Sequence, residues 1–287
     1  MTIAGLRKKY QPALGALDFD VLLAHALGQP KAFLYGHQEH SLSPTQRARF
    51  WRYARERRRG VPVAYITRHK EFCGLDFYVN KNTLIPRPET ELLVEQATVA
   101  IRQAPLGAPL TLIDVGTGSG CIPVSVVQGV PGTRIQTLAT DISKPALRVA
   151  KTNARRHGAT IRFLHGDLLE PVWRIPGVRL NGAQLFITAN LPYLTGDEID
   201  NEPSIAHEPR LALFADTNGL ALYEKMLGQL QKLLLAAHPA QVRLWCEINP
   251  GQVTVLRKIV KRFLPGASTV VYADLAGLQR VMAVTAH

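Results

Sequence analysis

From residue 110 onward, short apolar segments rich in β-branched residues alternate with segments of helical periodicity. This alternation constrains the fold more than any other feature, because it predicts an α/β protein whose parallel sheet is covered by helices on both faces. The strand candidates are 110–115, 134–140, 160–165, 183–189 and 241–248. The helix candidates between them are 120–129, 144–157 and 219–237. Two later segments, 268–273 and 279–285, could add an antiparallel pair of strands.

The region before this pattern, residues 1–70, is typical of helices. Within it, "SPTQRARFWRYARERRRG" predicts a helix that Ser43 caps and that carries seven arginines. The residues expected to pack inward are Phe50, Trp51 and Ala54. The arginines form either a solvated helix face or an electrostatic contact surface. The following segment, "KEFCGLDFYVNKNTLIP", alternates over short stretches around Gly74 and predicts a small β-hairpin.

Composition restricts the class of protein. The 287 residues include 34 Lys and Arg against 22 Asp and Glu, which gives a net charge of +12. This charge favours an anionic partner. A soluble protein from a lineage whose proteins use many arginines would have the same net charge without such a partner. No run of 18 apolar residues occurs and the N-terminus lacks a signal-peptide core, so we expect a cytoplasmic protein without membrane contact. Cys73, Cys121 and Cys246 have neither metal-ligand spacing nor a disulfide pattern, and no metal is expected.

The segment "LIDVGTGSGC" joins a predicted strand to a helix through a glycine-rich loop. Gly116, Gly118 and Gly120 permit a tight turn and a close approach of the backbone to a ligand. A phosphate-binding loop would need Gly-Lys-Ser/Thr after it, and a dinucleotide site would need the third glycine one residue later. An S-adenosylmethionine site needs neither, and Asp114 suits the ammonium group of that ligand. A plain strand-to-helix turn is the remaining alternative.

Polar residues also follow three later strand candidates. Asp141 could accept hydrogen bonds from both ribose hydroxyls of a nucleoside. Asp167 could accept from an adenine amino group or could cap a helix, and Asn190 ends the fourth strand candidate. Because ligands of open α/β sheets bind outside the carboxyl ends of the strands, these residues and the glycine-rich loop predict one common cleft.

The motifs "DVGTGSG", "ATDIS", "GDLL" and "ANLPYL" together resemble those of class I S-adenosylmethionine-dependent methyltransferases. Outside them, "EFCGLDFYVNKNTLIPRPETELLVE", "HEPRLALFADTNGL" and "DLAGLQRVM" resemble the HemK-type protein-glutamine N5-methyltransferases, the release factor glutamine methyltransferase family. The resemblance runs from the helical N-terminal part to Val281. Its specific part is the combination of "IPRPETE" with Asn-x-Pro-Tyr, because the glycine-rich loop is shared far more widely.

The resemblance implies a Rossmann-like class I methyltransferase sheet that follows a small helical N-terminal domain and a β-hairpin linker. The implied boundaries are 1–70 for the helical, substrate-docking domain, 71–85 for the linker and 86–287 for the methyltransferase domain. The implied reaction transfers a methyl group from S-adenosylmethionine to a glutamine side-chain amide. The expected substrate is the Gly-Gly-Gln loop of a peptide-chain release factor, with a ribosomal protein as second choice.

The candidate cofactor-binding residues are Asp114, Gly116, Thr117, Gly118, Ser119, Gly120, Asp141, Asp167, Leu168 and Asn190. The candidate catalytic residues are Asn190, Leu191, Pro192 and Tyr193.

These four residues suit the chemistry of an amide nitrogen, which is a poor nucleophile because its lone pair is delocalised into the carbonyl group. Its two N–H groups need two acceptors, and the Asn190 side-chain oxygen and the Leu191 backbone oxygen can supply them. Pro192 restricts the backbone on both sides, and Tyr193 can pack against the flat amide. Catalysis then consists mostly of alignment and electrostatics, with no nucleophilic side chain and no metal.

Leu191 departs from the family pattern, which has proline at this position. The backbone carbonyl is kept, so the function can survive. Asn-Leu-Pro-Tyr also resembles the motif of rRNA adenine N6-dimethyltransferases, and a nucleic-acid adenine N6-methyltransferase is therefore the alternative enzyme. An RNA- or ribosome-binding protein that kept the fold is the non-enzyme alternative. The hairpin and "IPRPETE" segments favour the glutamine family.

Overall fold

The computed structural model describes residues 1–105, 107–175, 177–178, 180–215 and 219–286. The chain divides into two compact units, Met1–His69 and Lys70–His287. Within the described ranges, no helix has both the length and the apolar character needed to cross a membrane.

The first unit is helical. Its α-helices are α1 (Ile3–Leu14), α2 (Ala16–Leu27), α3 (Lys31–Gly36), α4 (Pro44–Arg58) and α5 (Val63–Thr67). The predicted start of α4 is confirmed, because the Ser43 hydroxyl accepts from the Gln46 backbone N–H at 3.2 Å and the Gln46 side chain accepts from the Ser43 N–H at 2.9 Å. This reciprocal pair satisfies two backbone donors that a helix start otherwise leaves open.

The inward face of α4 was predicted correctly at two of three positions. Phe50 and Ala54 are buried, but Trp51 is 42% exposed and its predicted inward packing was wrong. One residue along a helix corresponds to about 100° of rotation, so Trp51 leaves the face that buries Phe50. The Arg47 guanidinium lies over its ring, 5.5 Å from the centroid.

The second unit contains the predicted sheet. Its strands are β1 (Lys70–Phe72), β2 (Leu75–Phe77), β3 (Leu110–Val115), β4 (Ile135–Asp141), β5 (Arg162–His165), β6 (Gln184–Ala189), β7 (Gln241–Glu247), β8 (Ser268–Ala273) and β9 (Gln279–Ala286). Its α-helices are α6 (Thr90–Arg102), α7 (Cys121–Gly129), α8 (Lys144–Arg156), α9 (Gly196–Asp200), α10 (Ala221–Ala237) and α11 (Val253–Phe263). Short 3₁₀ turns cover Pro203–Ile205, Arg210–Ala212 and Pro250–Gln252.

β1 and β2 form the antiparallel hairpin that the sequence predicts. Cys73 and Gly74 make its two-residue turn, and both have positive φ (50° and 73°), as a tight hairpin turn requires. Phe72 and Phe77 are buried in the same apolar cluster as Leu93 of α6. The hairpin is thereby packed into the second unit.

The seven-stranded sheet has the order β5-β4-β3-β6-β7-β9-β8. Neighbours from β5 to β7 are parallel, whereas β9 runs antiparallel to both β7 and β8. The predicted parallel sheet and its late antiparallel pair are therefore confirmed.

Two apolar clusters pack on the sheet. Ile113 and Ile187 belong to one cluster, while the preceding residues Leu112 and Phe186 belong to the other. Since successive side chains of a strand point to opposite faces, the two clusters cover opposite sides of the sheet. All six residues of β6 are buried, as expected for a parallel strand that is covered on both faces.

The chain order creates a crevice at the carboxyl ends of the central strands. From β3 the chain proceeds to β4 and β5 on one side, and it then returns to β6 on the other side of β3. A reversal of strand order of this kind separates the connections above the sheet and leaves room for a ligand.

Candidate active site

A cavity lies at the carboxyl ends of β3, β4 and β6. Its lining includes residues 116–119 of the glycine-rich loop, Asp141, Asp167, Leu168 and residues 190–192. An adjoining cavity shares residues 190–192 and is also lined by Tyr193 and Glu247. Of the residues predicted for the site, Asp114 and Gly120 line neither cavity.

The glycine-rich loop is fixed by its own backbone. The N–H groups of Gly116 and Thr117 both donate to the Thr140 carbonyl, at 3.0 and 2.9 Å, which ties the loop to the end of β4. Gly116 has φ of 71°, and a Cβ there would come within 2.9 Å of the Leu191 side chain. Any other residue at position 116 would therefore be strained and would displace Leu191.

Gly120 has a different structural role from Gly116 and Gly118. A Cβ at this position would meet the Cβ and Cα of Ala150, at 3.0 and 3.1 Å. The glycine therefore permits close packing of the start of α7 against α8. Its predicted contact with a cofactor remains a prediction.

Asp141 ends β4 and is held by two backbone donors. Its Oδ1 accepts from the Ser143 N–H at 2.7 Å and its Oδ2 from the Gly118 N–H at 2.8 Å. Burial raises the pKa of this carboxyl, and the same two hydrogen bonds oppose the rise. Each carboxylate oxygen has a second lone pair, so Asp141 can accept further hydrogen bonds from a ligand in the cavity that it lines.

Asp114 lies beneath the loop rather than on the cavity wall. It is fully buried, and its Oδ1 accepts from the Thr188 hydroxyl at 2.7 Å. Burial raises the pKa of Asp114 to about 6. Asp114 does not line the cavity in this position, and its predicted contact with an ammonium group remains a prediction.

Asp167 and Leu168 follow β5. The Asp167 carboxylate forms an ion pair with the Lys225 ammonium group. Leu168 has φ of 50°, an unusual conformation for a leucine, and it lines the cavity. The alternative interpretation of Asp167 as a helix cap is wrong, because the residues directly after it form turns and not a helix.

The Asn190 side chain is oriented by a residue far away in the sequence. Its Nδ2 donates to the Thr90 hydroxyl oxygen at 3.1 Å. Asn190 lines both cavities, and this bond directs its nitrogen toward Thr90. The side-chain oxygen, on the opposite branch of the amide, remains the acceptor.

The backbone around Leu191 is held by the buried Tyr223. The Tyr223 hydroxyl accepts from the Leu191 N–H at 3.3 Å, donates to the Glu247 carbonyl at 2.5 Å and lies 3.2 Å from the Ala189 carbonyl. The Leu191 side chain is 2% exposed. The peptide that carries the predicted second acceptor oxygen is therefore anchored on its N-terminal side.

Glu247 ends β7 beside the Asn190–Tyr193 segment. It is 2% exposed, and the Tyr193 hydroxyl lies 3.5 Å from its Oε1. Burial raises the pKa of Glu247 to about 7, and a hydrogen bond with Thr90 opposes the rise. Burial likewise raises the pKa of the Tyr193 hydroxyl, with the Glu247 charge as the next cause.

The segment before α6 forms part of the cavity wall and is fixed by Glu208. This buried carboxylate accepts from the Ile85 N–H at 3.0 Å and pairs with Arg87 at 2.5 Å. It belongs to the "HEPRLALFADTNGL" segment, of which residues 216–218 lie outside the described ranges.

Sequence reasoning missed Thr90, Tyr223 and Glu247. Glu247 carried a usable signal, because it is an acidic residue at the end of an apolar strand candidate, as Asp141 is. Thr90 and Tyr223 carried no such signal. They reach the site only because α6 and α10 pack over β6, as their bonds to Asn190 and Leu191 show.

Two protein-family models match the chain. The model described as the PrmC N-terminal domain matches residues 6–67, and the methyltransferase small domain matches residues 89–175.

Curated relatives match over nearly the whole chain. The release factor glutamine methyltransferase of Bordetella pertussis is 34% identical over 274 residues, which cover 94% of this chain and 94% of that protein. The enzyme of the same name from Moorella thermoacetica is 35% identical and covers 92% and 89%. That of Bacillus subtilis is 31% identical and covers 93% and 90%.

Solved structures share the fold. The catalytic domain of human METTL16 in complex with MAT2A 3'UTR hairpin 1 has a TM-score of 0.57 at 15% identity, over 92% of this chain and 90% of that chain. The N-terminal domain of human METTL16 in complex with SAH has a TM-score of 0.52 at 14% identity, over 74% and 76%. At such identities the likeness concerns the fold alone.

Proposed function

Because the chain belongs to the release factor glutamine methyltransferase family, we propose that it methylates the side-chain amide of a glutamine in a peptide-chain release factor, with S-adenosylmethionine as methyl donor. The observation that carries the proposal is the placement of Asn190 and Leu191 on the wall that the two cavities share. One cavity also contains the glycine-rich loop and Asp141, and the other contains Tyr193.

The residues of the first cavity fit S-adenosylmethionine. Asp141 has acceptor capacity for ribose hydroxyls, and the loop of residues 116–119 lines the cavity. Asp167 and Leu168 lie on the same cavity wall, where they would contact the base. When bound, S-adenosylmethionine supplies an electrophilic methyl group on a sulfonium centre.

Asn190 and Leu191 bind and orient the acceptor nitrogen. The Asn190 Oδ1 takes one N–H of the substrate amide, and the Leu191 carbonyl oxygen takes the other. With the methyl donor bound, these acceptors would hold the nitrogen toward its methyl group. They would stabilise the positive charge that develops on the nitrogen while the N–C bond forms and the S–C bond breaks, until one amide proton is released. Pro192 restricts the Leu191 backbone, and Tyr193 packs against the amide plane.

The first unit docks the substrate through the basic face of α4. Two arginines of α4 have partners within the first unit, since Arg57 pairs with Asp18 at 2.5 Å and Arg47 lies over Trp51. Arg55 and Arg58 are exposed. We assign these last two to contact with an anionic face of the substrate or of its complex with the ribosome. The site of action is the cytoplasm, where release factors function.

The experiment is incubation with labelled S-adenosylmethionine and separate release-factor, ribosome and RNA fractions. We expect label in the release factor, and we expect it to disappear when the glutamine of the Gly-Gly-Gln loop is replaced by alanine. Label in RNA would establish the adenine methyltransferase instead. Absence of label in every fraction would support the non-enzyme alternative.

The control enzyme is Asn190→Ala. It should fold and bind S-adenosylmethionine as the wild type does, but it should turn over at least about 100-fold more slowly, because it lacks one preorganised polar partner of the nitrogen. Single-turnover methylation measures the effect. A rate close to that of the wild type would refute the alignment mechanism.

A further inference from the structure

We propose that Tyr223 is a positioning residue whose hydroxyl fixes the backbone of Leu191, so that the Leu191 carbonyl oxygen keeps the direction in which it accepts from the substrate amide. The inference rests on the proposed function, since it concerns how one of the two acceptor oxygens is held. It assigns a role to a side chain that is fully buried and that lines neither cavity.

The Tyr223 hydroxyl connects three backbone groups. It donates to the Glu247 carbonyl at the end of β7, at 2.5 Å, and lies 3.2 Å from the Ala189 carbonyl at the end of β6. Its oxygen accepts from the Leu191 N–H at 3.3 Å. Burial raises the pKa of this hydroxyl, so it stays neutral and keeps both its proton and its acceptor lone pairs. The ends of two neighbouring strands thus hold the hydroxyl, and the hydroxyl holds the Leu191 N–H.

Leu191 is restricted at two further points. Its side chain is 2% exposed, and a Cβ on Gly116 would come within 2.9 Å of it, so it packs closely against the glycine-rich loop. Pro192 disfavours helical backbone at the preceding residue and leaves Leu191 the extended conformations. Tyr223 therefore fixes the nitrogen of Leu191, packing fixes its side chain, and Pro192 limits the rotation that turns its carbonyl. Loss of the first restraint lets the carbonyl oxygen move away from the direction that the substrate N–H needs.

The residue type at position 191 determines whether this bond can form. Proline, which the family pattern has here, fixes its own φ through the ring and has no N–H to donate. Leucine lacks the ring but has the N–H, and in this chain that N–H is bonded to Tyr223. The hydrogen bond thus restricts Leu191 as the ring would restrict a proline.

The test compares the wild type with Tyr223→Phe, which removes the hydroxyl and keeps the aromatic ring. We would measure single-turnover methylation of the release factor at saturating S-adenosylmethionine, KM for the release factor, and cofactor affinity by calorimetric titration. Tyr223→Phe should methylate about tenfold more slowly, the scale of one hydrogen bond, with KM and cofactor affinity within about threefold of the wild type. A rate within about twofold of the wild type would overturn the proposal.

Gln229→Leu is a matched control on the same helix. Gln229 belongs to α10, as Tyr223 does, and its Oε1 accepts from the Leu169 N–H at 2.8 Å. The control therefore also removes a bond from an α10 side chain to a backbone N–H, but beside the cofactor-binding candidate Leu168. We expect it to weaken S-adenosylmethionine binding and to keep the wild-type rate once the cofactor is saturating. An equal loss of rate in the two variants would show that any disturbance of α10 slows the reaction, which would refute the specific role of Tyr223.

A double-mutant cycle isolates the bond to Leu191. Leu191→Pro lacks the N–H, so adding Tyr223→Phe to it should cost at most about twofold in rate, against about tenfold in the wild-type background. Leu191→Ala keeps the N–H, and Tyr223→Phe should cost it about as much as it costs the wild type. A full tenfold loss in the proline background would mean that the hydroxyl acts by another route, and the proposal would be wrong.

Hydrogen exchange tests the bond without substrate and does not depend on whether Leu191→Pro folds. In protein that carries isotope-labelled leucine, the NMR signal of the Leu191 N–H is identified by its absence from Leu191→Ala. This N–H should exchange slowly in the wild type and at least about tenfold faster in Tyr223→Phe. Unchanged exchange would contradict the link between Tyr223 and Leu191 even if methylation is normal. Faster exchange in a protein that methylates no glutamine would leave the link standing and refute the proposed function.

Discussion

The side chains of Asp141 and Asn190 are hydrogen-bonded to the protein before any ligand binds. Asp141 receives the Gly118 and Ser143 N–H groups, and Asn190 donates to Thr90. Groups held in this way need little reorganisation during the reaction, which is the main source of catalytic power in a transfer that depends on alignment. Individual residues of the site should therefore divide cleanly into those that control cofactor binding and those that control turnover.

We expect Asp141 to belong to the first class. Asp141→Ala removes the proposed acceptor of two ribose hydroxyls and should weaken S-adenosylmethionine binding by about 1.5–3 kcal/mol, or roughly 10- to 150-fold. Asp141→Asn keeps one carbonyl acceptor and should lie between the two. Calorimetric titration measures all three proteins. Wild-type affinity in the alanine variant would remove Asp141 from the cofactor site.

Glu247 also makes stability depend on pH. Its pKa is about 7 in the folded protein against an ordinary 4.5, so between these values the folded protein keeps a proton that the unfolded chain releases. The stability that the neutral carboxyl contributes is complete below pH 4.5 and is lost as pH rises toward 7. Glu247→Gln has no such loss, so its advantage over the wild type should grow between pH 5 and pH 8.

The expected gain is on the order of 1–3 kcal/mol, since one unit of pKa corresponds to about 1.4 kcal/mol. Thermal melts of both proteins should show a difference in melting temperature that increases by several degrees over this range. A difference that stays constant with pH would mean that Glu247 does not titrate there.

At the scale of whole elements, periodicity predicted most of the second unit. The strands from β3 to β9 lie within two residues of their predicted limits. Among them, parallel strands that are buried on both faces, such as β3 and β6, appear in the sequence as short apolar runs. The same logic located Asp141 and Asn190, which stand at strand ends. It could not locate Thr90 or Tyr223, because helix packing over the sheet brings them to β6 from distant positions. It also could not predict that Asp114 is fully buried, because position at a strand end does not show whether a carboxylate faces a cavity or the protein interior.

The contact between α7 and α8 gives a prediction at this scale. Gly120→Ala would place a Cβ 3.0 Å from the Ala150 Cβ and 3.1 Å from its Cα, so the two helices would have to separate. Gly118→Ala is a matched control, because Gly118 also has positive φ (55°) but its Cβ would meet nothing within 4 Å. Both variants carry backbone strain, and only the first also carries overpacking.

Urea unfolding should therefore show a larger loss of stability for Gly120→Ala than for Gly118→Ala, by about 1–3 kcal/mol. Equal losses would indicate that backbone conformation, and not helix packing, is the reason for glycine at position 120.

Over the whole molecule, positive charge is distributed unevenly. Residues 1–69 contain 12 Lys and Arg against 4 Asp and Glu, a net charge of +8 out of the total of +12, in about a quarter of the chain. Such a concentration speeds the encounter with an anionic partner more than it strengthens the final complex. The charge of the first unit should accordingly affect how fast a large substrate is captured and should leave the chemistry of the second unit unchanged.

The variant that tests this docking role is Arg55→Gln with Arg58→Gln, which removes two exposed charges of α4 and leaves the Arg57–Asp18 pair intact. The matched control is Lys258→Gln with Lys261→Gln, two exposed charges of α11. At low salt, the α4 variant should lower kcat/KM for the intact release factor by roughly 3- to 10-fold. This loss should fade as salt rises, since exposed charges are screened within about 8–10 Å near physiological ionic strength.

The α11 control should lose much less kcat/KM, although its net charge changes equally. A short Gly-Gly-Gln peptide should be methylated equally well by all three proteins, because it lacks the anionic face that α4 is proposed to contact. Equal losses on peptide and intact substrate would refute docking by α4. Equal losses in the two charge variants would show that only the total charge matters.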